Sequence, residues 1–141
     1  MYALNYSANQ YKANSVNCSP QQLIVMCYDG VIRFLNGVSH CIETKDIEGK
    51  VKNLNKALAI VDELQNSLDF TQGGEIAVNL DRVYDYFGYQ LMQVGMKNDL
   101  KALSQVMDLV KELRSAWAKV AQDANVNKGS ASPQGGFVMT G

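Results

Sequence analysis

The sequence predicts an all-α protein, an antiparallel up-down-up-down four-helix bundle. Apolar residues recur at steps of three and four along four successive segments, which is the period of one buried helix face. Residues that commonly cap helices, Ser, Asp and Asn, separate those segments. The connections are short, and short connections make consecutive helices run antiparallel.

Length and composition agree with one such domain. A chain of 141 residues that is 47% hydrophobic can bury a core without a disulfide or metal. We expect residues 1–18 to form a short, flexible N-terminal segment. Residues 19–124 are predicted to form the bundle, and residues 125–141, rich in Gly, Ser and Asn, a disordered tail.

The first helix is predicted from Ser19 to about Glu43. Ser19 is an N-cap, Pro20 suits the first helical position, and Gln22 completes a capping box. Its predicted inner residues are Ile24, Tyr28, Val31, Leu35, Val38 and Ile42.

The second helix is predicted to be capped by Asp46 and to reach about Leu68. The turn DFTQGG follows, in which Gly73 and Gly74 permit backbone angles that other residues resist, and Glu75 suits the start of the next helix. The predicted inner residues of the second helix are Val51, Leu54, Leu58, Val61, Leu64 and Leu68.

The third helix is predicted to end at Asn98 and Asp99, which also cap the fourth helix, from Leu100 to about Ala124. The predicted inner residues of the third helix are Ile76, Leu80, Val83, Phe87, Leu91 and Val94. Those of the fourth are Leu103, Met107, Val110, Leu113, Trp117 and Val120.

Charge and hydropathy exclude several classes of function. The formal net charge is −1 with no basic block, so nucleic acid is not an expected partner. The N-terminus does not resemble a signal peptide, and no apolar run approaches the ~18 residues of a membrane span. Cys27 and Cys41 lie about 21 Å apart on one predicted helix, too far to bridge. Reduced thiols and a cytoplasmic location are expected.

No catalytic, metal or cofactor site is predicted. His40 is the only histidine. A bundle metal site of the Glu-x-x-His type needs a histidine on each of two helices, so it cannot form here. The chain also offers no second histidine as the base that would activate a nucleophile. Asp29 and Asp85 are not paired by any spacing. The Gly73–Gly74 pair lacks the Lys and Ser or Thr of a phosphate-binding loop.

Apolar surface exceeds what one core needs. Residues 23–28 are consecutive apolar residues that surround more than one helical turn, so some must face outward. Tyr84, Tyr86, Phe87 and Tyr89 likewise spread around the third helix. These side chains either cover the edge of the core or line a groove for a partner.

Three segments carry a family resemblance: SPQQLIVMCYDGVIRFL at 19–35, SLDFTQGGEIAVNLDRVYDY at 67–86 and ELRSAW at 112–117. They resemble the flagellar export chaperone FliS. The resemblance implies a helical bundle that binds the disordered C-terminal segment of flagellin, prevents its early polymerisation and helps deliver it to the export gate. It also implies that an N-terminal segment containing Tyr11 and Val16 folds over the groove.

We therefore predict a non-enzymatic, cytoplasmic flagellin chaperone, monomeric or weakly dimeric. Two alternatives are a signalling bundle, which regulates an enzyme or transfers a phosphoryl group through His40, and a purely structural oligomeric bundle. The residues predicted to contact flagellin are Tyr11, Val16, Leu23, Met26, Cys27, Tyr28, Tyr84, Tyr86 and Tyr89.

Overall fold

A computed structural model of the chain describes the backbone of residues 19–129 and the side chains of residues 19–124. This part of the chain forms four helices: α1 (Pro20–Glu43), α2 (Ile47–Asn66), α3 (Phe70–Lys97) and α4 (Leu100–Gly129). The short connections make consecutive helices antiparallel, so the predicted all-α bundle is confirmed.

The helices are arranged in a ring around one apolar core. α1 makes the most extensive contacts, with α2 on one side and α4 on the other, and α3 completes the ring by packing against α2 and α4. α1 and α3 therefore lie on opposite sides of the bundle. The largest fully buried side chains are Tyr28, Val31, Leu35, Val38, Phe87, Leu91, Val94, Val106 and Val110.

Side-chain oxygens cap the N-terminus of each helix. Ser19 Oγ accepts a hydrogen bond from Gln22 N at 3.1 Å, and Ser19 N donates to Gln22 Oε1 at 2.8 Å, which confirms the capping box. Asp46 and Asp99 cap α2 and α4 in the same way, as predicted. Asp69 caps α3, and the sequence reasoning missed it because it assigned that residue to the turn.

The start of α3 differs from the prediction. The helix begins at Phe70, inside the segment predicted to be a turn, and it is interrupted at Gly74, whose φ of 52° and ψ of −124° are not helical. Only glycine adopts such angles without strain, so the prediction that this glycine pair is required by backbone geometry is confirmed for Gly74. A kink therefore separates the first turn of α3 from the rest of the helix.

Two residues predicted to face the core are exposed. Val51 lies beside Lys50, which takes the inward position on α2, and is 48% exposed. Ile76 is 53% exposed because it follows the kink at the end of the bundle, where no helix covers it. The ends of two helices also differ: α2 stops at Asn66, before Leu68, and α4 continues to Gly129, past Ala124.

A buried lysine closes the end of the bundle where α3 meets α4. Lys50 Nζ donates to Gly95 O at 3.0 Å and to Asn98 Oδ1 at 2.7 Å. Asn98 itself adopts the left-handed conformation, with φ 52°, that ends α3. A cation at the C-terminus of a helix is favourable because the last carbonyl groups carry partial negative charge.

The predicted N-terminal segment, residues 1–18, and the last part of the predicted tail, residues 130–141, lie outside the described residues. Across residues 19–129, none of the helices combines the length and apolarity that crossing a membrane requires.

Candidate partner-binding surface

The three sequence segments that carry the family resemblance meet inside one end of the bundle. Tyr28 of α1 and Tyr84 of α3 join their hydroxyl oxygens at 2.6 Å, and both side chains are buried. The Trp117 side chain of α4 lies within hydrogen-bonding reach of Tyr28. Each of these three residues comes from a different segment, so the segments share a structural role in the interior.

Burial controls the ionisation of this tyrosine pair. It raises the pKa of Tyr28 to about 12, although the hydrogen bonds from Tyr84 and Trp117 oppose the increase. It also raises the pKa of Tyr84, and the neighbouring Tyr28 adds to that increase. Both hydroxyls are therefore protonated at neutral pH, and the pair acts as a neutral hydrogen-bonded link between α1 and α3.

A second link between these segments lies at the surface. Arg114 Nε donates to Asp29 Oδ1 at 2.7 Å, and Arg114 Nη2 to Asp29 Oδ2 at 3.3 Å, which ties α4 to α1. The pair is partly exposed, with side chains 40% and 44% accessible, so we expect a contribution of at most about 1 kcal/mol. Asp29 thus forms an interhelical ion pair with Arg114 and is not half of a catalytic carboxylate pair.

A small apolar cleft opens above the tyrosine pair, between the end of α2 and the kinked start of α3. Its volume is about 30 Å³, far below the 300–1,000 Å³ typical of small-molecule sites. It is too small for a cofactor, and at most the end of one apolar side chain of a partner fits into it. The main apolar lining residues are Ile24, Leu64, Leu68, Ile76, Leu80, Tyr84 and Trp117.

Three of the predicted contact residues lie in the core instead of on the surface. Cys27, Tyr28 and Tyr84 are 4%, 1% and 3% exposed. The reason for the first two is the position of α1, which packs against both α2 and α4 and therefore buries a wide face. Burial, with a contribution from the Glu63 carboxylate, raises the pKa of Cys27 to about 12, so its thiol is not a nucleophile at neutral pH.

The other predicted contact residues are divided between two sides of the bundle. Leu23 and Met26 are half-buried on α1. Tyr86 and Tyr89 are 40% and 59% exposed on α3. Tyr11 and Val16 lie outside the described residues.

The sequence reasoning missed further exposed apolar residues on the outer face of α3, where the exposed, charged Arg82 and Asp85 separate Val78 from the tyrosines. Val78, Met92 and Met96 are 39%, 52% and 68% exposed and, with Tyr89, fall on the side opposite the buried Leu91. The signal was available: a second apolar series at helical spacing on a helix that already has a core series. We call Val78, Tyr86, Tyr89, Met92 and Met96 the α3 stripe.

Chemistry other than binding finds no support in this part of the molecule. The described residues contain no group of three or more His, Cys, Asp and Glu side chains that could hold a metal ion. His40 is exposed in the last turn of α1, where its carbonyl oxygen accepts hydrogen bonds from Thr44. A phosphotransfer histidine is expected in the middle of a helix, so this position does not favour that alternative.

Comparison with known proteins gives one consistent result. The family model described as "Flagellar protein FliS" matches residues 3–124. The chain is 34% identical over 121 residues to the flagellar secretion chaperone FliS of Salmonella typhimurium, covering 85% of this chain and 90% of the relative. It is 35% identical over 113 residues to the flagellar secretion chaperone FliS of Bacillus subtilis, covering 79% of this chain and 84% of that relative. The Campylobacter jejuni counterpart is 33% identical over 123 residues, covering 86% and 96%.

These matches extend over all three of the segments whose residues meet at Tyr28, Tyr84 and Trp117. They also span the whole four-helix ring up to Ala124. The resemblance inferred from the sequence is therefore confirmed over most of the length of both this chain and its relatives. The chain belongs to the FliS family of flagellar proteins.

Proposed function

We propose that this chain is a cytoplasmic flagellar secretion chaperone whose client is the C-terminal segment of flagellin. The relatives named above are called flagellar secretion chaperones, and flagellin as the client is the step that the family resemblance adds. The chain holds that segment, prevents early polymerisation and helps deliver flagellin to the export gate. No catalytic step and no cofactor are required.

The α3 stripe is the observation that carries this proposal. Its five apolar side chains are 39% to 68% exposed, and none of the helices in the described region covers them. Val78, the first residue of the stripe, lies two residues after the cleft residue Ile76, and that spacing places the two side chains on opposite faces of α3. The stripe and the cleft are therefore separate apolar surfaces, and a client that uses both would have to pass around α3. Leu23 and Met26 on α1 would be contacted by a client that wraps around the bundle.

Binding of the client would be driven by the burial of apolar side chains that are exposed to water in the free proteins. A disordered client segment loses conformational entropy when it binds, and the apolar area that it shares with the chaperone must compensate for that loss. Aromatic and methionine side chains suit such a surface, since tyrosine combines an apolar ring with a solvated hydroxyl and methionine adapts to irregular neighbours. Helix-in-groove packing would supply most of the affinity.

A titration of the full chain with the C-terminal segment of flagellin tests the proposal. We expect binding near one to one, a negative heat-capacity change and a rise in helical circular dichroism, because a disordered segment folds onto apolar surface. Flagellin that lacks this segment is the matched control and should give no heat. Absence of binding at about 50 µM client would overturn the proposal.

Two further measurements, the mass in solution with and without flagellin and flagellin binding by a His40 variant, separate the alternatives. A purely structural oligomer would bury its apolar surface between identical chains, so its mass in solution would exceed that of a monomer and would not change when flagellin is added. A phosphotransfer bundle would depend on His40, whereas the proposed chaperone should bind flagellin equally well after His40→Gln.

The contribution of Tyr11 and Val16 is tested by deleting residues 1–17. If these residues cover part of the client surface, the deletion should leave the bundle folded and should tighten flagellin binding, because the competing occupant is removed. Unchanged affinity would mean that Tyr11 and Val16 do not compete with the client.

A further inference from the structure

The cleft at the open end of the bundle leaves apolar surface uncovered by the described residues. Ile76 in the cleft wall is 53% exposed, and Phe70, in the first turn of α3 at the same end, is 50% exposed. At the opposite end Lys50 closes the junction between α3 and α4, although Ile47 and Met96 are exposed there as well. The cleft end differs in having a recess between helices in which another segment could bury an apolar side chain.

The C-terminal tail of this chain carries an apolar group suited to that position. The family match ends at residue 124, so residues 125–141 lie beyond the part that the chain shares with the family model. Residues 127–136 read NKGSASPQGG and contain no large apolar side chain, and Phe137, Val138 and Met139 follow in a row. A polar, Gly- and Ser-rich stretch followed by three apolar residues has the composition of a flexible tether with an anchor.

The path of α4 brings this tail to the correct end of the bundle. Trp117 lines the cleft, and Gly129 ends the same helix twelve residues later, about 18 Å further along the axis at 1.5 Å per residue. The eight residues from Gly129 to Phe137 can span about 26 Å when extended. The anchor can therefore turn back and reach the cleft.

We propose that the segment Phe137–Met139 docks over the cleft lined by Leu68, Ile76 and Trp117, with the end of one of its apolar side chains in the cleft, and covers it in the client-free protein. A short flexible tether gives an effective concentration of about 1 mM, so an intrinsic dissociation constant of about 0.25 mM keeps the cleft about 80% occupied. The tail is then an intramolecular competitor of the client. This competition, unlike the docking itself, rests on the proposed function.

Trp117 reports on the docking without any client, because it is the only tryptophan of the chain and it lines the cleft. The test variant is the full chain with Phe137→Ser, Val138→Ser and Met139→Ser. We expect its acrylamide quenching constant to rise about two- to fivefold, since a cleft that was open about one-fifth of the time is now always open. The matched control, Ser130→Ala with Ser132→Ala and Gln134→Ala, keeps the anchor and should match the unchanged chain.

A peptide of residues 130–141 provides a second measurement. Added to the triple-serine variant, it should lower the quenching constant again in a saturable way, and the same peptide with the three serine substitutions should not. Equal quenching of the variant and the unchanged chain would overturn the proposal. So would a rise that follows deletion of residues 1–17 but not the serine substitutions, because the N-terminal segment would then be the occupant.

Flagellin binding tests the competition separately. The client segment should bind the triple-serine variant about fivefold more tightly than the unchanged chain. If the triple-serine variant shows altered quenching but binds the client as tightly as the unchanged chain does, the proposal that the tail competes with the client is overturned. Altered quenching with no flagellin binding to any form would overturn the proposed function and would support the docking of the tail.

Discussion

Two pairs of tyrosines on this bundle have opposite environments, although Tyr84 of the first pair lies only two residues before Tyr86 of the second. Tyr28 and Tyr84 are buried and share a hydrogen bond of 2.6 Å between their hydroxyl oxygens. Tyr86 and Tyr89 lie on the outer face of α3, 40% and 59% exposed. Residue type therefore does not decide which tyrosines are interior and which are exposed, whereas position around the helix does.

Phe87 lies between the two pairs. Its ring centroid is 6.2 Å from that of Tyr84 and 6.3 Å from that of Tyr86, with tilted planes in both cases. It is 1% exposed, so it belongs to the core that supports the exposed pair. We therefore predict that stability depends on Tyr28, Tyr84 and Phe87, and that affinity for the proposed client depends on Tyr86 and Tyr89.

The largest effect should come from Phe87→Ala. Removal of a fully buried aromatic ring leaves a cavity, and we expect the free energy of unfolding to fall by about 3 to 5 kcal/mol, measured by chemical denaturation. Met96→Ala, at a residue 68% exposed on the same helix, should stay within about 0.5 kcal/mol. Similar losses for the two variants would contradict the division between interior and surface.

A smaller effect is expected on binding from Tyr86→Ser combined with Tyr89→Ser. Because aromatic anchors dominate interface energetics, this variant should weaken flagellin binding by about 1 to 3 kcal/mol with little change in thermal stability. The matched control is Ile47→Ser with Val51→Ser, two exposed apolar residues on α2, outside the α3 stripe and the cleft, 72% and 48% exposed, which should leave affinity unchanged. If the tyrosine variant unfolds, or binds normally, the client does not use this face.

The smallest effect should come from the hydroxyl groups of the buried pair. Tyr84→Phe removes one partner of the hydrogen bond and should cost about 1 kcal/mol at neutral pH. Tyr28→Phe combined with Tyr84→Phe removes both partners and should cost less, because no buried hydroxyl of the pair is left without its partner.

The same double variant should change the alkaline pH dependence of stability. An unfolded tyrosine ionises near pH 10, whereas the folded environment raises the pKa of Tyr28 to about 12. The folded state therefore keeps a proton that the unfolded state loses, and stability present below pH 10 declines as the pH rises towards 12. Thermal melts between these values should show a steeper decline for the unchanged chain than for the double variant, and equal slopes would argue against a buried ionisable pair.

Local features of the fold could be read from the sequence with good accuracy. The capping box of Ser19 and Gln22, the caps Asp46 and Asp99, and the inward positions of α1 depend on hydrogen bonds and helical period within a few residues. The family assignment was also available from three sequence segments. In contrast, Val51 and Ile76 were assigned to the core because they fit the helical period, yet they are exposed.

The sequence by itself determined four helices, their order and the absence of a histidine pair for chemistry, because periodicity, caps and composition are properties of the chain alone. Only the tertiary structure decided which tyrosines are interior. Tyr28 and Tyr84 lie 56 positions apart, and their contact exists because α1 and α3 face each other across the ring. The tertiary structure also decided that Lys50 closes one end and that Gly74 leaves the other open, since both effects depend on which helix ends meet in space.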